Sequence, residues 1–370
     1  MSDPVSTFLA KFIPGLLHAS HRYVRGNRDP AFEAEQGGSV RRQVREALCA
    51  GLSQRGFTRR NYKPATAEAE LLHIIEHLQE YAQVCELLAD TTSKKLFEEL
   101  LTYRVLGPEH VKLSTATPEY WTKRRAADAA KRHGGEHQVG QWTLHKCEVP
   151  GQAGPIRLFL HPFGLATTFG MEHYALRREE VTIAASHGDV VLDAGGCWGD
   201  TALYFADKVG EAGRVACFEF DEGNLPLLRG NLALNPALAA RIDIVEHPVW
   251  SSSGDSIQYT ASGPSTHVRS ATGPLRATTV TIDDWVASQG IAKVDFIKMD
   301  IEGAELEALR GAAGTLRRCR PRLAISLYHA REDFFRIPLY LAGLDLGYRF
   351  HLHHVTVHLM ETVLFATPAP

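Results

Sequence analysis

Asp300, Glu302 and His329 stand at the ends of two apolar runs, Val294-Asp295-Phe296-Ile297-Lys298-Met299-Asp300 and Leu323-Ala324-Ile325-Ser326-Leu327. Carboxylates and an imidazole at adjoining strand ends can take a proton from a hydroxyl or hold Mg2+, which favours oxygen ligands in octahedral geometry. The spacing leaves both open. In one version His329 or Glu302 is the general base; in the other Asp300, Glu302 and His329 ligate the ion. Asp300-Ile301-Glu302-Gly303 also reads as a helix start with favourable first-turn acids, a role compatible with either. Lys298 faces in or out according to the pleat and pairs with a carboxylate if it faces in.

A second constellation lies upstream, in Asp193-Ala194-Gly195-Gly196-Cys197-Trp198-Gly199-Asp200-Thr201. Asp193 ends a strand, and Gly195, Gly196 and Gly199 form a turn into a helix, where glycine lets backbone approach a ligand closely. A dinucleotide site wants G-x-G-x-x-G, but the residue two after Gly195 is Cys197. Asp193 also suits the cationic end of S-adenosylmethionine better than a pyrophosphate. The next strand ends in Phe218-Glu219-Phe220-Asp221, where an acid is placed to accept hydrogen bonds from ribose hydroxyls. Glu219 is the candidate for that role, with Phe220 or Asp221 beside the adenine. Trp198, inside the loop, is a packing residue by type and the first of the tryptophans to test as a wall of the site.

These residues need a frame, and the remaining pattern supplies one. After Gly188 apolar strands alternate with helical segments: Val190–Asp193, Arg214–Glu219, Ile242–Val249, Ala277–Thr281, Val294–Asp300 and Leu323–Leu327, then Tyr348–Val355 and Thr362–Ala366 as a closing hairpin. Such alternation predicts parallel strands with right-handed helical crossovers. The terminal hairpin puts one antiparallel strand into a seven-stranded doubly wound sheet, whose ligands bind at the carboxyl ends of the strands. Upstream, Leu71, Ile74, Ile75, Leu78, Tyr81, Cys85 and Leu88 recur at helical spacing. Asp90-Thr91-Thr92-Ser93 then caps a second helix, and Thr117-Pro118 opens a third. Residues 1 to about 60 read as short helices and irregular chain. Trp142–Cys147 and Ile156–Leu160 read as a β-hairpin. The predicted organisation is a helical lobe over 1–135, a β-hairpin connector over 136–175 and a cofactor-binding α/β domain over 176–370.

The 370 residues carry a formal charge of −3, with 44% hydrophobic and 22% charged residues. That balance gives no argument for nucleic acid or an anionic membrane as partner. Six scattered cysteines, never in C-x-x-C, argue against a zinc site or a secreted disulfide framework. No signal peptide or apolar span is visible, so the expected location is cytoplasmic. His351, His353, His354 and His358 invite a metal reading. Strand alternation separates His351 and His353 from His354, so they read as ordinary strand positions, with His353 or His354 able to line an acceptor pocket.

Four segments together resemble the FkbM family of methyltransferases: Asp193–Thr201, Phe218-Glu219-Phe220, Asp295–Glu305 and Glu361-Thr362-Val363-Leu364-Phe365-Ala366. Within them Lys298-Met299-Asp300-Ile301-Glu302-Gly303 matches that family's Lys-x-Asp-Ile-Glu-Gly signature. The resemblance runs from about Tyr174 to Ala366, and the helical lobe is similar to extensions found on some members. It implies a class I, Rossmann-like methyltransferase fold and transfer of a methyl group from S-adenosylmethionine to a hydroxyl oxygen, commonly on a sugar, polysaccharide or glycosylated natural product. On that implication Asp193, Gly195, Gly196, Trp198, Asp200, Thr201, Glu219, Phe220 and Asp300 bind the cofactor. The partners would be a small-molecule or saccharide acceptor and a second copy of the chain docked through the helical lobe. An NAD-dependent oxidoreductase and a cofactor-binding protein without catalysis are the alternatives. Pocket walls are expected from the helical lobe, the Ser251–Thr281 insertion and the loop after Leu327.

Overall fold

A computed structural model describes residues 3–24, 28–29, 64–130, 135–140, 142–261, 263–265, 267–268 and 274–369. Most of the irregular segment expected before residue 60, with Cys49, lies outside them; inside them, residues 4–20 form helix α1 (Pro4–Ser20), capped by Asp3. The single stripe expected from Glu68 to Leu88 is two helices, α2 (Pro64–Glu76) and α3 (Leu78–Leu87). The break falls at His77, whose ring stacks on Phe335 at 4.8 Å. Helix α4 (Thr91–Leu106) starts where expected: the Asp90 carboxylate accepts from the Ser93 amide at 2.7 Å. Helix α5 (Pro118–Ala130) begins at the predicted Thr117-Pro118.

The predicted hairpin is a three-stranded antiparallel sheet, because β1 (Glu136–Val139) pairs with β2 (Trp142–Val149), which pairs with β3 (Ile156–Leu160). A short helix and a π-helical turn over Leu165–Gly170 follow, and then a small pair, β4 (Leu176–Arg178) and β5 (Val181–Ile183).

Next come β6 (Val190–Ala194), α6 (Asp200–Val209), β7 (Arg214–Phe218), α7 (Leu225–Ala233) and β8 (Ile242–Val245). An insertion carries β9 (Ser256–Thr260) and β10 (Leu275–Thr278). Then follow α8 (Ile282–Ser288), β11 (Phe296–Met299), α9 (Glu305–Arg310), α10 (Ala313–Cys319), β12 (Arg322–Ser326), α11 (Asp333–Gly343), β13 (Tyr348–His354) and β14 (Thr362–Pro368). The seven-stranded sheet runs β13-β14-β12-β11-β6-β7-β8, and β14 is antiparallel to both of its neighbours. The expected doubly wound sheet with one antiparallel strand is therefore present.

Two expected elements end early for local reasons. Strand β8 stops at Val245 rather than Val249, because Pro248 has no amide hydrogen to give a ladder; His247, Pro248 and Val249 become a wall instead. The strand expected to reach Thr281 stops at Thr278, since the Thr281 hydroxyl caps α8 by accepting from the Asp284 amide at 2.9 Å.

Alternation along the strands splits the core into two layers. Leu192, Ile297 and Leu323 face one side, in a cluster that continues without a gap into Phe8, Phe12, Tyr81 and Phe97 of the helical lobe. Val191, Phe296 and Ala324 face the other, against α6 and the three-stranded sheet through Leu144 and Leu158. Asp90 ties the lobe to the sheet: Arg178 Nη1 lies 2.9 Å away and His351 Nδ1 2.6 Å away. No described helix is long and apolar enough to cross a membrane.

Candidate active site

The cleft lies at the carboxyl ends of β6, β7, β11 and β12, where the topology predicts it. It has two arms that share Gly195, Cys197, Pro264, Asp300 and Glu302 as walls. The first arm encloses about 970 Å³ of empty space, counted to its open mouth; the second, about 570 Å³.

Backbone clearance fixes the floor. Gly195 has φ +87°, and a Cβ on it would stand 1.9 Å from the Asp300 carbonyl oxygen. On Gly196 it would meet the Cys217 sulfur at 2.1 Å. Gly196 is thus required by packing on β7 and lines neither arm. Behind the floor Lys298 and Asp193 face each other in register across β11 and β6, with Nζ 3.0 Å from Oδ1. Asp193 also accepts from the Thr201 hydroxyl at 2.7 Å, and Lys298 donates to the Ala194 and Gly195 carbonyls. Burial favours the neutral amine, but the Asp193 carboxylate beside it holds the Lys298 pKa above its ordinary value. This corrects the place expected for Asp193. It is fully buried and spent on Lys298 and Thr201, so it supports the turn from beneath rather than meeting a ligand.

The second arm is walled by Phe218, Glu219, Phe220, Asn224, His247, Pro248 and Val249. Glu219 accepts from the Asp221 amide at 2.7 Å, and burial pushes its pKa up to about 7. Asn224 links Glu219 to Trp198: its amide reaches the carboxylate at 3.4 Å and its carbonyl accepts from the indole N–H at 3.1 Å. Phe220 packs edge-on to Tyr259. The geometry of this arm brings together Gly195, Glu219 and Phe220 as the sequence suggested.

The first arm is the acidic one. Asp200, Thr201, Asp300, Glu302 and Glu361 line it, with Trp142, Trp198, His161, His173, Tyr174, Tyr328 and Lys298. Asp300 accepts from the Tyr174 hydroxyl at 2.5 Å and from Tyr328 at 2.9 Å. Burial alone would raise its pKa; the adjacent His329 and Lys298 cations outweigh that and hold it well below the carboxylate range. His329 is clamped between acids: Nδ1 lies 2.9 Å from Glu305, and Nε2 lies 3.2 Å from Asp300 and 3.5 Å from Glu302. Those acids overcome burial and lift its pKa well above the ordinary value. The surroundings of His329 oppose the expected general-base role, because both nitrogens face carboxylates that favour the imidazolium. Burial raises the Glu302 pKa. At His173 burial lowers it to about 4.

The expected ligand set of Asp300, Glu302 and His329 is also corrected. Among the described residues, the groups close enough to share an ion are His173 with Asp300 and Glu361, and Asp300 with Glu305 and His329. Glu302 belongs to neither. The histidine run does not converge: His351 turns to Asp90, and His354 meets the Thr362 hydroxyl at 2.8 Å. Neither His353 nor His354 lines the cleft. The walls come from the three-stranded sheet and the turn after it, with Pro264 and Tyr328, and, among the described residues, from no helix of the lobe. His173, Tyr174, Asn224 and Tyr328 are site-forming residues that the sequence did not single out, and Glu305 and Glu361 stood in the quoted segments without a role. One signal was within reach: Tyr328 immediately precedes His329 at a strand end. His173 and Glu361 sit in loops without periodicity, and only topology joins them.

Sheet order, reversed last strand and strand-end cleft together define a class I, Rossmann-like methyltransferase fold. Residues 183–350 match the model of the Methyltransferase FkbM domain. It is 26% identical over 161 residues to 2-O-methyltransferase NoeI of Sinorhizobium fredii (strain NBRC 101917 / NGR234), across 39% of this chain and 66% of that protein. Among solved structures it is similar to methyltransferase FkbM from Methylobacillus flagellatus KT, with TM-score 0.50 and 21% identity, over 80% of this chain and 60% of that one. The chain thus spans less than two thirds of the length of either relative.

Proposed function

We propose that this protein transfers a methyl group from S-adenosylmethionine to a hydroxyl oxygen of a sugar, polysaccharide or glycosylated natural product. The observation that carries the reading is the charge of the cleft. Asp200, Asp300, Glu302 and Glu361 line the arm beyond the glycine turn, a surrounding that favours the ammonium and sulfonium of S-adenosylmethionine and repels the pyrophosphate of a dinucleotide. Glu219 takes the ribose hydroxyls, and Phe220, Pro248 and Val249 flank the adenine. Gly195 and Cys197, shared by both arms, pass the cofactor from one to the other.

The acceptor enters the first arm, beside Trp142, His161 and Tyr174. Its oxygen attacks the methyl carbon in line, the O–CH3 bond forms, and the C–S bond breaks with its electron pair staying on sulfur. Holding the two reactants aligned supplies most of the acceleration, up to roughly 7–11 kcal/mol in ideal cases. Glu302 receives the hydroxyl proton: it stands at the junction of the arms, where His329 is already committed to acids. The similarity to a 2-O-methyltransferase supports oxygen as the acceptor atom. Location in the cytoplasm and a homodimer through the helical lobe belong to the same proposal. Incubation with methyl-13C S-adenosylmethionine and a panel of oligosaccharides tests it. A new O-methyl resonance in one of them, absent with Glu302→Gln, is expected; label appearing on nitrogen or carbon acceptors instead would overturn it.

A further inference from the structure

The geometry points to a divalent-cation site formed by His173, Asp300 and Glu361 on the wall of the first arm. One ligand atom from each lies within 4.8 Å of the other two. His173 Nε2 and Glu361 Oε2 are 3.2 Å apart. Neighbouring ligands of an octahedral ion with bonds near 2.1 Å stand about 3 Å apart, so two of the three positions are already set.

Three further observations favour an ion there. His173 is 3% exposed, and neither of its ring nitrogens makes a hydrogen bond of good geometry. Burying such a group without well-aligned partners is costly, and the ring borders the cleft. Glu361 is 7% exposed, and its carboxylate pairs with His173. Its backbone is held in the left-handed region at φ +67°, a conformation that persists in a non-glycine residue only where its surroundings enforce it. Finally, Lys298 pairs with Asp193, and His329 pairs with Glu305 and with Asp300 itself, so the Glu361 carboxylate faces His173 instead. In the second acidic group the imidazole of His329 stands between the two carboxylates, 2.9 Å from Glu305 and 3.2 Å from Asp300.

One imidazole and two carboxylates suit a first-row ion of mixed nitrogen and oxygen preference, with Mn2+ the natural probe. The ligands come from the loop before β4, the end of β11 and the start of β14, so the ion would tie three segments together. Positions left open face the arm. On the methyl-transfer reading, an acceptor hydroxyl bound there would be acidified and oriented; the site itself does not depend on that reading.

Titration of the full-length protein with Mn2+ alone, followed by electron paramagnetic resonance and calorimetry, tests the site. One ion per chain is expected, with affinity reduced at least tenfold in His173→Ala and in Glu361→Gln while the melting temperature stays within a few degrees. Where a variant fails to fold, the wild-type protein decides: bound Mn2+ should broaden the His173 imidazole resonances and spare those of His187 on the surface. No binding, equal binding by the variants, or broadening elsewhere only would overturn the proposal. The titration needs neither cofactor nor acceptor, so S-adenosylhomocysteine bound without Mn2+ sinks the ion alone, and the converse sinks methyl transfer alone.

Discussion

Lys298 Nζ lies 3.0 Å from Asp193 Oδ1, and the two side chains are 1% and 0% exposed. The parallel register places them opposite each other, and the pair holds the glycine turn against β11 through the Ala194 and Gly195 carbonyls. Removing one partner strands a buried charge, which typically costs about 3–5 kcal/mol. Lys298→Met should therefore lower stability in urea by that order, whereas the double variant Lys298→Met with Asp193→Leu should recover much of it. A double variant as weak as the single one would contradict this account.

Glu219 gives a pH dependence with two opposite signs. Burial pushes its pKa in the folded chain up to about 7, from an ordinary value of 4.5. The folded state therefore binds the extra proton, and stability falls as pH rises from about 4.5 through about 7. The loss is on the order of 3 kcal/mol. On the proposed reading ribose hydroxyls would donate to the ionised carboxylate, so affinity for S-adenosylhomocysteine should instead rise through the same window. Calorimetry between about pH 6 and pH 8 should show this in the wild type and a flat profile in Glu219→Gln.

Gly195 and Gly230 separate close approach from propensity. A Cβ on Gly195 collides with the Asp300 carbonyl, whereas one on Gly230 meets nothing within 4 Å. Gly195→Ala should lose about 2 kcal/mol or more from the left-handed backbone and the clash, and with it cofactor binding. Gly230→Ala, inside α7, should be neutral or stabilising by up to about 1 kcal/mol. Thermal melts of the two variants check the contrast.

Asp90 joins lobe to sheet by capping α4 and meeting Arg178 and His351. A lost cap costs about 1 kcal/mol, and the partly buried ion pairs add less than a fully buried pair would. Asp90→Ala should destabilise the chain by about 2–3 kcal/mol in one cooperative transition, because the core is continuous from Phe8 to Ile297. Two separate transitions in urea would contradict that continuity.

Much of this was legible in the sequence, for reasons that particular residues make plain. Alternating strands such as Val190–Ala194 and Phe296–Met299 write their two-sided burial directly into residue order. Cap chemistry at Asp90 and Thr117 marked helix starts to the residue. The glycine turn and Glu219 were readable because backbone clearance and strand-end position are local. Asp193 was misplaced for a long-range reason: its partner Lys298 arrives 105 residues later, and only register shows that the two face each other under the floor. The base reading of His329 fails because Glu305, the first residue of α9, lies 2.9 Å from its Nδ1 and favours the cation. Glu361 and His173 belong to loops that no period describes, and the fold alone brings them together.

The most direct measurement is a calorimetric titration of the intact chain with S-adenosylhomocysteine and, separately, with NADH. The account predicts one molecule of S-adenosylhomocysteine bound per chain, weakened at least tenfold by Glu219→Ala, and no heat with NADH. NADH binding in the absence of S-adenosylhomocysteine binding would contradict it.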